Sequence, residues 1–334
     1  MDRYFRKIGL NPARIGPLEC LTYIGTHVIG ALSFEPCVAE IQTSENIPLP
    51  QLAQEVQEVL KGEGSEFLQH LLVMGDSPQG ARPKALVYRD PVNLEFSTQA
   101  SNQHEAWLIK FPAQQEHPEV CAIEAVYAEC LRLCAIETPD THFFNLPNGL
   151  TAFASKRFDR QNGMRIPMQS LAAYTGADYK VPGSLDYRNF LRATLMCTQD
   201  VRERLHAFKR AVFNVLFNNR DDHTKNFSFL MEKNGQWKLA PAYDVTFCEG
   251  PGGYHQMDIM GEALNISQND IHKLGTSEAN LTTLEVDEII LAMREIALQF
   301  SQIAQRLYPH QIRESTLQMI QSRIQQNIDF LTET

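Results

Sequence analysis

The sequence predicts an α+β fold in two lobes, a mixed α/β N-terminal lobe over residues 1–158 and a mainly helical C-terminal lobe over 159–334. Three observations carry that expectation. The chain has 334 residues, and at about 150 residues per domain this suggests two domains. Short β-rich runs alternate with helical periodicity up to about residue 158, after which helical periodicity dominates. One strand–turn–strand segment, NFSFLMEKNGQWKLAPAYDV at 226–245, interrupts the helical half. Such a layout favours a cleft between the lobes as the place for a small-molecule site.

Taken in order, residues 19–34 (ECLTYIGTHVIGALSF) read as two short strands around Gly25-Thr26, being rich in β-branched and aromatic residues. Residues 51–61 and 65–73 carry apolar positions at helical spacing, broken by Gly62 and Gly64. A polar loop, GDSPQGARPK, runs into the strand-like ALVY at 85–88. EAWLIKFP (105–112) reads as a buried strand closed by Pro112. Residues 118–136 form an amphipathic helix, and 141–158 a hairpin whose turn contains Pro147, Asn148 and Gly149. Helical signals then cover 186–196, 200–218, 283–307 and 311–331.

Composition narrows the function. Thirty basic residues against forty acidic give a formal net charge of −10. A protein that coats nucleic acid or anionic membrane needs a basic face, so bulk electrostatics of that kind is excluded. A local basic pocket is not. No apolar run reaches ~18 residues, so no transmembrane helix is expected. The N-terminal MDRYFRKIGLNP lacks the apolar core of a secretory signal. The seven cysteines are odd in number and form no CxxC pair, which argues against a disulfide framework or zinc ribbon. Cys130 and Cys134, four apart on a helix, read as buried thiols, and a reducing cytoplasm is the expected compartment.

The densest polar cluster is RDDHTKN, Arg220 to Asn226, between an apolar helix and a strand. One reading is a surface turn in which Asp221 or Asp222 caps a neighbouring element. The other follows from Asp244, 23 residues beyond Asp221 at the end of the next hairpin. Asp-x4-Asn, a hairpin and a further Asp resemble a phosphoryl-transfer site, in which one Asp takes the hydroxyl proton while the Asn and second Asp bind magnesium. Base and metal ligands must converge on one γ-phosphate, and a loop followed by a two-stranded ribbon brings both ends together. Lys110 is the sole cation of the apolar LIKFP. It fits as the ammonium paired with nucleotide phosphates, steadied by Glu124 in preference to Glu119 or Glu129. The alternative is a strand-end lysine reaching water. The loop from Gly75 to Lys84 supplies glycines, a hydroxyl and two cations, but matches neither GxxxxGK[ST] nor GxGxxG.

Together SPQGARPKA, WLIKFP, SKRFDR, NRDDHTKN and APAYD, in this order, resemble the HipA family of bacterial serine/threonine kinases, from about residue 19 onward. The resemblance implies a bilobal protein-kinase-like fold and the toxin role of a toxin–antitoxin module. It implies Asp221 as catalytic base and Asn226 and Asp244 as magnesium ligands. Lys110 is implied as the phosphate-anchoring lysine, and Lys156 to Phe158 as the segment that contacts adenine. His223, Lys225 and Tyr243 are implied to line the nucleotide or catalytic pocket, with Gly80 and Lys84 in the nucleotide loop. Ser77 matches the loop serine that such kinases phosphorylate on themselves, which expels the loop and switches the enzyme off. Roughly two added negative charges cannot remain beside a triphosphate. A turn-capping hydroxyl before Pro78 is the competing reading of Ser77.

Relative to full-length members, most of an N-terminal subdomain is expected to be missing, as in split three-component systems where a separate small protein supplies it as antitoxin. Gln79 stands where those kinases carry a second loop serine, so a single site, Ser77, is expected. Asp222 adds a carboxylate beside the base, with its role open. The expected reaction is ATP- and Mg2+-dependent phosphorylation of a protein, with an aminoacyl-tRNA synthetase as the target class the resemblance implies. DNA contact is expected only through a helix-turn-helix antitoxin. A small-molecule or lipid kinase, and a non-catalytic pseudokinase, are the alternatives. Arg82, Lys84, Lys110, Lys156, Arg157, Arg220 and Lys225 all fall in segments assigned to the cleft, giving an acidic exterior with a locally basic pocket.

Overall fold

The computed structural model describes residues 5–6, 9–25, 28–37, 47–61, 72–74, 82–93, 95–98 and 103–332. Ser77 and Gly80 lie outside the described residues, as does most of the helix predicted at 65–73. In chain order the elements are α1 (Pro17–Ile24), α2 (Leu49–Lys61), β1 (Leu72–Met74), β2 (Pro83–Arg89), β3 (Phe96–Ser97) and β4 (Glu105–Lys110). There follow α3 (Glu119–Leu133), β5 (Thr141–Asn145), β6 (Thr151–Lys156), β7 (Arg160–Gln161), β8 (Met164–Arg165), β9 (Met168–Ser170), α4 (Leu171–Thr175), α5 (Tyr187–Thr198) and α6 (Val201–Leu216). The chain continues through β10 (Ser228–Met231), β11 (Trp237–Leu239), α7 (Gln268–Glu278), α8 (Thr283–Leu298), α9 (Phe300–Leu307) and α10 (Glu314–Phe330). Two compact units result: Met1–Glu116 with Phe144–Met168, and His117–Phe143 with Gln169–Thr334.

The first unit is built on a sheet of order β1-β2-β4-β6-β5, with β3 also paired to β2. β2 alternates as a half-buried strand should, with Ala85 and Val87 inside. α2 places Leu49, Leu52, Ala53, Val56 and Val59 on one face, and these share a core with Val87, Trp107 and Ile109. The register sets Lys110 opposite Lys84 on β2 and opposite Phe153 on β6.

A clasp closes this unit. Asp159 is 3% exposed and accepts from Arg157 Nη2, Arg160 Nη1 and the Gly30 amide, each at 2.7 Å. The two guanidinium groups also reach the Val28 carbonyl, at 3.1 and 3.0 Å. Gly30 sits at φ +85 with Met168 against its α-carbon, a place that a side chain fits poorly. Arg157, counted with the cleft cations in the sequence, is therefore a structural cation here.

The second unit packs its helices around a larger core. Tyr127 of α3 meets Phe213, Phe217 and Phe300 edge-on, and its hydroxyl donates to the Phe217 carbonyl at 2.5 Å. Asn327 of α10 donates to the Val215 carbonyl at 2.9 Å, so the end of α6 has partners although it is buried. A three-stranded sheet, β11-β10-β9, lies beyond it, with Phe229 opposite Leu239 across the Asn-Gly turn.

Three expectations need correction. Residues 19–34 hold helix α1 and no strand among the described residues. Pro17 at the first helical position and Gly25 at the C-terminal cap bracket eight residues, and that punctuation overrides their β propensity. The single helix expected over 283–307 is two, parted at Gln299. Asp244 is not at a strand end: β11 stops at Leu239, and Asp244 lies five residues later in a bend at φ +56.

The clasp gives a stability test. Burial raises the Asp159 pKa, but Arg157, the Gly30 amide and Arg160 outweigh it and hold the carboxyl below its usual value. A carboxylate depressed in the folded state contributes stability above its unfolded pKa near ~3.9, and loses it as pH falls through the folded value. Asp159→Asn is expected to cost about 3 kcal/mol in urea unfolding at pH 7 by leaving two half-buried guanidinium groups without their buried carboxylate. It is also expected to remove part of the wild-type loss of stability below about pH 4. Equal unfolding midpoints at pH 7 would contradict the clasp.

Candidate active site

The loop that carries RDDHTKN leaves the C-terminal end of α6. Asn218 ends the helix in the left-handed region at φ +54, which asparagine tolerates better than most residues. The chain then runs beside Cys248, with the Arg220 amide donating to the Cys248 carbonyl at 3.2 Å. From there the loop is shaped by a chain of buried polar groups. Asn219 Nδ2 donates to Asn214 Oδ1, and Asn214 Nδ2 donates to the Tyr187 hydroxyl, both at 2.9 Å. Tyr187 in turn donates to Asp222 Oδ2 at 2.7 Å.

Asp222 is 0% exposed. Besides Tyr187 it receives His255 Nδ1 on Oδ2 and the Gln256 amide on Oδ1, each at 2.7 Å. The carboxylate accepts, so His255 carries its ring proton on Nδ1. The turn reading of Asp222 thus fails: the side chain points into the core and ties the loop to α5 and to segment 255–256.

Asp221 faces the other way and is half-buried. Its Oδ1 receives Gln256 Nε2 at 3.2 Å and lies 3.8 Å from His223 Nε2. Burial pushes its pKa up, and the charges of Asp244 and Asp222 push in the same direction, against the opposing effects of His223 and Gln256. A carboxylate held up in this way accepts a proton more readily at neutral pH than a solvated one.

Asn226 donates from Nδ2 to the carbonyl of Asp221 at 2.8 Å, which turns its Oδ1 into the free acceptor end of the amide. The APAYD segment is pinned to this loop. Ala242 is held by the Glu137 carbonyl at 2.7 Å, and the Tyr243 hydroxyl donates to the Lys225 carbonyl at 2.7 Å while accepting from Ser228 Oγ at 2.6 Å. Burial raises the Tyr243 pKa, so the phenol stays neutral and donating. Lys225 Nζ lies 3.9 Å from the centre of the Tyr179 ring, a cation–π distance, and that ring meets His223 edge-on at 5.8 Å. A small pocket is bounded by Arg210, Asn214, Asn219, Asp222, Asn226 and Tyr243, among others.

Of the residues predicted for the site, the second unit therefore brings Asp221, Asp222, His223, Lys225, Asn226, Tyr243 and Asp244 together. Glu124 is buried on α3; Glu119 is taken by Arg313, and Glu129 by Arg132. In the first unit, Lys110 ends β4 with 5% exposure and its ammonium 5.9 Å from the Phe153 ring centre. Lys84 and Phe158 are half-buried, and Lys156 pairs with Glu105 at 2.5 Å. Arg82 pairs with Glu116 at 2.9 Å. Tyr187, Asn214, His255 and Gln256 were missed in the sequence. Asn214 alone left a signal, as an amide inside the apolar run AVFNVLF.

Tyr187→Phe removes one donor from a fully buried carboxylate and the acceptor of Asn214. It is expected to lower unfolding free energy by about 1–3 kcal/mol, read by urea denaturation. An unchanged midpoint would mean the network does not hold the loop.

A chain from the Shewanella oneidensis MR-1 toxin–antitoxin complex of HipA, HipB and operator DNA superposes with a TM-score of 0.77. The alignment covers 99% of this chain and 82% of that one at 17% identity, so the likeness is one of fold. A Haemophilus influenzae protein named "Putative kinase" is 25% identical over 43% of this chain. The chain spans under half the length of that relative, 45%. Residues 77–305, more than half of the chain, match the HipA-like C-terminal domain, and the protein belongs to that family.

Proposed function

We propose that the protein is an ATP- and Mg2+-dependent serine/threonine protein kinase. The observation that carries this reading is the convergence of the Asp244 segment on the loop that holds Asp221 and Asn226 in a HipA-family chain, with burial raising the Asp221 pKa. Asp221 takes the proton of the acceptor hydroxyl. The hydroxyl oxygen forms a bond to the γ-phosphorus as the bond from that phosphorus to the β–γ bridging oxygen breaks, and ADP leaves with the electron pair. Lys110 would pair with nucleotide phosphates, and Lys84, His223 and Lys225 would add charge or hydrogen bonds around them. Lys156 and Phe158 would contact adenine, and Glu124 would steady Lys110.

The donor set suits magnesium, since Asn226 Oδ1 and the Asp244 carboxylate are hard oxygen ligands and few carboxylates are needed when phosphates complete the shell. When bound, magnesium offsets phosphate charge and fixes the phosphate oxygens. The residues of this chain would hold it in place: Asp221's own carbonyl orients Asn226, and Tyr243 ties the Asp244 segment to the loop.

The family resemblance extends the proposal to a toxin of a toxin–antitoxin system, acting in the cytoplasm on a translation-related protein such as an aminoacyl-tRNA synthetase. Its partners would be a small antitoxin resembling the N-terminal subdomain and a helix-turn-helix antitoxin that contacts DNA. Among the described residues no helix is long and apolar enough to cross a membrane.

Phosphatase-treated protein incubated with Mg-ATP is expected to gain phosphate, chiefly on Ser77, by intact-mass analysis and peptide mapping. Asp221→Ala, or chelation of magnesium with EDTA, is expected to abolish the gain. Wild-type protein that transfers no phosphate would overturn the kinase reading. Phosphate on another residue would overturn only the Ser77 assignment.

A further inference from the structure

Gln256 lies 35 residues beyond Asp221 and outside every motif that marks the site. Its backbone is fixed from both sides. The amide donates to Asp222 Oδ1 at 2.7 Å, and the carbonyl accepts from the Gly183 amide at 2.8 Å. Its neighbours are fixed as well: His255 is buried against Asp222, its amide bonded to the Ala263 carbonyl at 2.8 Å, and Met257 is buried in the core. Only the Gln256 side chain retains freedom, and it spends it on the base, with Nε2 donating to Asp221 Oδ1 at 3.2 Å.

We infer that Gln256 is a positioning residue that fixes the carboxylate plane of Asp221 and reserves Oδ2 for the acceptor hydroxyl. The inference rests on the kinase reading above. Both neighbours of the carboxylate, Gln256 at 3.2 Å and His223 at 3.8 Å, lie on Oδ1. Among the described residues Oδ2 has no hydrogen-bond partner. A free carboxylate rotates about its terminal torsion with little preference, so a donor on one oxygen decides which way the other faces. A neutral amide does this without adding a charge beside the base, as a lysine or arginine in its place would. Asp222 thereby acts on its neighbour at one remove: it holds the Gln256 backbone, and Gln256 holds Asp221.

The test compares wild type, Gln256→Met and Gln256→Glu for three quantities: single-turnover phosphoryl transfer at saturating Mg-ATP, the ATP dissociation constant and the melting temperature. Met keeps the volume without the donor, and Glu keeps the shape with an acceptor in its place. Both variants are expected to lose transfer rate, Met about tenfold and Glu more, with ATP affinity and melting temperature unchanged. Wild-type rates in Gln256→Met overturn the inference. A parallel fall of rate, affinity and melting temperature in both variants assigns Gln256 a purely structural role, and overturns it too. No transfer by the wild-type protein overturns the kinase reading, and this inference falls with it.

Discussion

A carboxylate without exposure to water must find its donors inside the fold, because an unpaired buried charge costs several kcal/mol. Asp222 finds three at 2.7 Å, from the Tyr187 hydroxyl, the His255 ring and the Gln256 amide. Those donors come from the start of α5 and from a segment more than thirty residues downstream. The loop from Arg220 to Asn226 therefore takes its shape from elements far from it in sequence. With Asp222 turned inward, the adjacent Asp221 is turned outward, where it is half-buried.

The electrostatics of the loop follow from that division. Asp222 spends its hydrogen-bonding capacity on the scaffold. Among the described residues Asp221 receives one neutral amide within hydrogen-bond range, and its pKa rises through burial and through its acidic neighbours. Asn226 is oriented by the carbonyl of Asp221 itself, so the position of the amide is tied to that of the carboxylate residue. The Tyr243 hydroxyl, bonded to Lys225 and Ser228, joins the Asp244 segment to the same loop. Beneath it, the aromatic packing of Tyr127, Phe213 and Phe217 anchors the end of α6. Core packing in this unit thus sets the geometry of the loop.

Much of the fold was legible because burial writes a period into the sequence. ALVY and WLIKF alternate or run apolar and form β2 and β4, and the helical spacing of 118–136 forms α3. The Asn-Gly turn placed β10 against β11. Helix α1 is hard to see in the sequence because its β-branched residues mask the Pro17 and Gly25 boundaries. Helix α7 leaves little trace because QNDIHKLGTSE is mostly polar, and the Ser267–Asp270 capping box is its main signal. In the site, the cluster at 220–226 was legible as a dense run of polar residues between two apolar elements. The partners that shape it were not, because Tyr187, His255 and Gln256 meet the loop only through tertiary folding, and nothing local to them marks the meeting.

On the proposed function, the buried side chain of Asp222, without touching nucleotide or acceptor, sets the geometry of a phosphoryl-transfer loop. The most direct test of that role is the single-turnover rate of γ-phosphate transfer from Mg-ATP by Asp222→Asn beside the wild type, in protein shown by circular dichroism to be folded. Asparagine keeps the size and one acceptor but removes the charge that gathers the three donors. A fall of at least about tenfold is expected, the loss of one charge-assisted hydrogen bond, with Asp221, Asn226 and Asp244 all in place. A folded Asp222→Asn protein transferring phosphate at the wild-type rate would contradict that role.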